Sequence, residues 1–148
     1  MDELRDLYQE VILDHSKSPR NFHAMSGATH SAEGYNPLCG DKVTIYVDVE
    51  DDVVKSVSFK GQGCAISTAS ASLLTESLVG KSVQQAQELF DRIHELMTGE
   101  SDEMPDELGK LAVFSGVRDY PMRVKCATLA WHTLVAALQE QEEPVTTE

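Results

Sequence analysis

Between Lys42 and Glu50, Val43, Ile45, Val47 and Val49 alternate with Lys42, Thr44, Tyr46 and Asp48. That period of two predicts a half-buried strand. Asp51-Asp52 turns the chain, and Val53 to Lys60 returns as a second strand with Val57 and Phe59 on one face. Strands joined so tightly must pair antiparallel. Upstream, Leu4, Leu7, Tyr8, Val11 and Ile12 keep helical spacing from about Asp2 to His15, with acids and Arg5 opposite. Pro19 ends this helix by biasing Ser18 away from it. Asn21 to Ala28 reads as an irregular lead-in, and Thr29 to Gly34 as a short strand of mediocre propensity.

After the hairpin the period lengthens. Small residues from Ala65 to about Val79 predict a helix packed closely on the sheet, stopped by Gly80. Ser82-Val83-Gln84-Gln85 is a capping-box pattern. It opens a helix to about Thr98, with Val83, Ala86, Phe90, Ile93 and Met97 on one face. Gly99 to Pro105 reads as an acidic loop, Pro105 to about Phe114 as a short helix, and Gly116 to Tyr120 as a connection. Pro121 suits the first turn of a last helix, whose stripe is Val124, Ala127, Trp131, Leu134, Val135 and Leu138. That helix runs to about Glu140, and Gln141 to Glu148 reads as a polar, frayed tail.

Composition narrows the class. The 148 residues, 41% hydrophobic and 25% charged, are expected to form one domain over 1–148 without disulfide staples. No apolar run reaches the roughly 18 residues of a membrane span, and the N-terminus lacks signal-peptide character; a cytoplasmic protein is expected. A formal net charge of -13 argues against nucleic acid and anionic membranes as partners and favours a partner with a basic docking face.

Candidate chemistry sits in three cysteines, which cannot all pair with one another. Asn36-Pro37-Leu38-Cys39-Gly40-Asp41 sets a thiol and a carboxylate two residues apart around a glycine. Cys64 follows Gly61-Gln62-Gly63, and Cys126 follows Arg123-Val124-Lys125. The hairpin brings Cys39, before its first strand, to the same end as Cys64, after its second. Cys64 begins a helix, where unpaired N–H groups favour an anionic sulfur, and Cys126 falls in the first turn or two of the last helix. Cys39, Asp41, Cys64 and Cys126 make four anionic ligands, the number for tetrahedral zinc or the edge of a small iron–sulfur cluster. Arg118, Arg123 and Lys125 would offset that charge. Taken singly, each cysteine reads as a small core hydrophobe and Asp41 as a turn residue. The five histidines keep no spacing tied to the cysteines, with His132 a packing or surface residue.

With all three cysteine turns in view, the chain resembles the U-type iron–sulfur assembly proteins, the NifU N-terminal/IscU/SufU family. The resemblance runs from Leu7-Tyr8 and Ser18-Pro19-Arg20-Asn21-Phe22 through Gly61-x-Gly63-Cys64-Ala65-Ile66-Ser67 to Arg123-Val124-Lys125-Cys126. It implies an α+β fold, a small antiparallel sheet covered on one side by helices, with the N-terminal helix first. Within the family the chain looks closest to the SufU branch. The link from Cys64 to Cys126 is long, Tyr120-Pro121-Met122-Arg123-Val124 stands where classical scaffolds carry a chaperone motif, and Lys125 replaces a histidine.

The resemblance implies that Cys39, Asp41, Cys64 and Cys126 hold Zn(2+), that Cys39 accepts persulfide sulfur, and that the partner is a cysteine desulfurase of the SufS/IscS type. The alternative is a scaffold binding Fe or a transient [2Fe–2S] cluster for downstream assembly proteins or apo-proteins. A purely structural zinc site is a third reading, disfavoured by the aspartate ligand.

Overall fold

The computed structural model describes residues 2–37, 39–98, 106–117, 120–140 and 144–146. Helix α1 (Asp2–Lys17) leads into β1 (His30–Asn36), β2 (Asp41–Glu50) and β3 (Val53–Gln62). Then come α2 (Ala65–Leu78), α3 (Val83–Thr98), a 3-10 helix (Asp106–Val117), α4 (Pro121–Leu138) and a two-residue β4 (Val145–Thr146). This is the expected α+β architecture. The sheet order is β3-β2-β1-β4, antiparallel across the first three strands and parallel between β1 and β4.

The strand alternation decides which face is covered. On β2, Val43, Ile45 and Val47 are buried against α4 while Lys42 is exposed. A register shift at Asp48/Val49 leaves Val49 only half-buried, so the period of two holds for one residue pair fewer than the sequence implies. The capping box forms as expected: Ser82 Oγ accepts the Gln85 N–H at 3.0 Å, and Gln85 Oε1 accepts the Ser82 N–H at 2.9 Å.

Three elements differ from the sequence reading. Helix α4 is buried almost all round from Cys126 to Ala137, not along one stripe, because α2, α3, β1, β2 and the 3-10 helix all pack on it. The segment expected as a helix from Pro105 winds as 3-10 from Asp106 to Val117; Pro105 lies outside the described residues, as does the expected loop 99–105. Its buried Leu111, Phe114 and Val117 recur every third residue, the period of a 3-10 helix. Val145 and Thr146, read as part of a frayed tail, pair with Gly34 and Tyr35. β1 would otherwise present an unpaired edge there.

A polar seam ties α1 to α2. His15 is 1% exposed, and its Nδ1 lies 2.6 Å from Ser72 Oγ, which also accepts the Arg20 N–H at 2.9 Å. Burial holds the His15 imidazole below its ordinary value of 6.5; Arg20 and Lys110 push the same way, against Glu76 and Asp14. The unfolded chain therefore takes up a proton before the folded one. Stability is expected to fall as pH drops through 6.5 toward the folded value and to level off below it. Urea unfolding between pH 7.5 and 5 checks this, with His15→Gln expected to show a shallower slope.

Candidate metal centre

The site forms where the hairpin ends meet two helix starts. Asn36 closes β1, and its backbone carbonyl accepts the Cys39 N–H at 3.2 Å, making the tight turn that carries the thiol. Gly40 follows at φ 72°, in the left-handed region, with open space around it. The chain is thereby reversed so that Asp41 pairs with Asn36 across the β1–β2 ladder.

On the other side of β2, Lys42 pairs with Gln62, so Cys64 falls beside Asp41. Asp41 Oδ1 accepts the Cys64 N–H at 2.8 Å, and the Cys64 Sγ lies 3.9 Å from Asp41 Oδ2. Cys64 is the N-cap of α2: its Sγ accepts the Ser67 N–H at 3.4 Å, satisfying one orphan donor of the helix. Cys126 arrives in the second turn of α4, with its Sγ 3.4 Å from the Cys39 Sγ and 3.7 Å from the Asn36 side-chain Nδ2.

Three of the four residues singled out by sequence form one cluster, and the fourth, Cys64, stands at its edge beside Asp41. Ligand atoms of Cys39, Asp41 and Cys126 lie within 4.8 Å of one another, with Cys64 alongside through Asp41. Ligand atoms around a tetrahedral zinc stand ~3.3–3.8 Å apart, given metal–ligand bonds of about 2.0–2.3 Å, so these donors need only small movements to share one ion. Exposure is unequal. Asp41 and Cys126 are buried at 2% and 4%, whereas Cys39 and Cys64 are half-buried.

Burial pushes the Cys126 thiol far above its ordinary value, and hydrogen bonds with Cys39, Asp41 and Cys64 push it the same way. This pocket resists gaining negative charge by itself and accepts it readily once a cation is present. The donor set thus fits a thiolate-binding metal. Of the basic residues expected to offset it, Arg123 stacks on the Tyr120 ring at 4.4 Å, Lys125 is half-buried, and Arg118 lies outside the described residues. His94 and His132 pack with Phe90, away from the sulfurs. Asn36 and Gly63 stand inside the cysteine motifs with no role of their own legible in the sequence. Asn36 reaches Cys126, and Gly63 lies against Asp41.

The family model for the NifU-like N terminal domain matches residues 7–140. Two proteins named iron–sulfur cluster assembly scaffold protein IscU are similar over 139 residues. One, from Streptococcus pyogenes, is 37% identical (94% of this chain, 87% of that protein), and one, from Thermotoga maritima, is 41% identical (93% and 96%). The zinc-dependent sulfurtransferase SufU of Bacillus subtilis is 34% identical over 139 residues, covering 94% of each chain. A solved structure from Fervidobacterium islandicum, described as a candidate iron–sulfur cluster assembly scaffold protein for the SUF system, superposes with a TM-score of 0.82. It is 39% identical over 90% of this chain and 98% of that one. Identity does not favour the SufU branch over the IscU-named relatives. Among the described residues, no helix is long and apolar enough to cross a membrane.

Proposed function

This chain belongs to the NifU-like N-terminal domain family, and we propose that it is an iron–sulfur cluster assembly protein acting as a zinc-dependent sulfurtransferase. Cys39, Asp41, Cys64 and Cys126 would hold Zn(2+), with Cys39 taking persulfide sulfur from a cysteine desulfurase. The observation that carries this reading is the inequality of the two touching thiols. Cys39 is half-buried on a turn with open space beside Gly40, while Cys126 is sealed in the first turns of α4. A bound zinc ion supplies positive charge that keeps the thiols deprotonated at neutral pH.

The residues of the chain then do the rest. The Cys39 thiolate attacks the terminal sulfur of the desulfurase persulfide, forming a new S–S bond as the old one breaks. The desulfurase cysteine leaves as a thiolate, and Cys39 carries the persulfide. No net oxidation occurs, because one sulfane sulfur changes carrier. Asp41, buried and held by the Cys64 N–H, keeps the ligand set in place.

The second reading is a scaffold for a transient [2Fe–2S] cluster, favoured by the IscU names of two relatives at 37% and 41% identity. Desulfurase turnover with zinc-loaded, iron-free protein separates the two. Strong stimulation is expected. No stimulation, with zinc blocking a cluster assembly that the iron-loaded protein supports, would leave the scaffold as the function.

A further inference from the structure

Asn36 is fully buried, with a side chain committed at one end only. Its Nδ2 lies 3.7 Å from the Cys126 Sγ, and its Oδ1 has no hydrogen-bond partner among the described residues. A buried amide oxygen without a partner carries a real cost, so the orientation of this amide is set by what its nitrogen meets. The same residue accepts the Cys39 N–H through its backbone carbonyl and faces Asp41 across the ladder. One residue thus touches the Cys39 turn, the Asp41 strand and the Cys126 sulfur.

We propose that Asn36 is a positioning residue that divides labour between the two adjacent thiols: its side-chain N–H quiets Cys126 and leaves Cys39 as the nucleophile. This rests on the metal-site reading above and deepens it. An N–H donated to a metal-bound thiolate draws on its lone pairs and makes it a poorer nucleophile. For Cys39, Asn36 contributes only a backbone contact to the turn, so its amide draws nothing from that sulfur. Two thiols 3.4 Å apart, which would otherwise compete for the incoming sulfur, are made unequal by a group that touches only one of them. Burial of Cys126 adds to the distinction by limiting access.

The test is the rate at which iodoacetamide modifies each cysteine of the zinc-loaded protein, read by mass spectrometry in wild type, Asn36→Leu and Asn36→Asp. Both variants remove the amide donor while keeping the number of side-chain heavy atoms, and the smaller aspartate serves where leucine prevents folding. The Cys126-to-Cys39 rate ratio is expected to rise about five-fold, the rate equivalent of one ordinary hydrogen bond. The sulfur-to-cobalt charge-transfer band of the Co(II)-loaded variants should also move to longer wavelength, because the freed lone pair lies higher in energy. A merely structural role would raise all three cysteines together and leave that band in place. An unchanged ratio in metal-loaded protein overturns the assignment of Asn36 alone, whereas a wild type that holds neither zinc nor cobalt overturns the metal-site reading beneath it.

Discussion

Cys39→Ser is expected to lower the stimulation of a cysteine desulfurase by the zinc-loaded protein roughly 100-fold or more, while leaving the fold intact. A serine hydroxyl at neutral pH is a far weaker nucleophile than a metal-held thiolate. The fold should not notice the change. Cys39 lies on a turn outside the hydrophobic core, so apo-protein stability should stay within ~0.5 kcal/mol of wild type.

Cys126→Ser gives the informative contrast. Cys126 is 4% exposed, and a hydroxyl there costs about 1–3 kcal/mol unless it finds a good partner. Turnover assays paired with urea unfolding read both variants. Equal loss of stimulation with equal stability in the two would remove the distinction between the exposed and the sealed thiol.

How much of this was legible beforehand depends on the range of each interaction. The hairpin, and with it the placing of Cys64 beside Asp41, followed from a period of two and a two-residue turn, both local signals. The arrival of Cys126 required only that the last helix dock on the sheet. What escaped was contact between distant segments. The Asn36 amide meets a sulfur 90 residues away, and β4 is defined only by its pairing to β1.

Helix α4 departs from its sequence pattern for a related reason. Looking for one apolar stripe passes over Thr128, Thr133, Ala130 and Ala136, which are buried because neighbours close on every side. Gly63 is likewise set by a distant segment. Its reason is a carboxylate from another strand, which the residues beside it do not announce.

That carboxylate gives the second large effect. Gly63→Ala would place a Cβ 2.5 Å from Asp41 Oδ1 and 3.1 Å from its Cγ, too close for either to stay. Asp41 is 2% exposed and closely surrounded, so it has little room to retreat. Its displacement breaks the 2.8 Å bond from the Cys64 N–H, and with it a contact that ties the start of α2 to the start of β2. Overpacking costs about 1–3 kcal/mol, and stranding a buried hydrogen-bonding group costs about as much again. The metal should suffer beyond that, because loss of support to a ligand typically lowers affinity about 10–100-fold. Competition for zinc against a chromophoric chelator, with the unfolding midpoint of the metal-free protein beside it, separates the two effects. A Gly63→Ala protein with wild-type zinc affinity would mean that Asp41 does not hold the metal, and the ligand set would reduce to the three sulfurs.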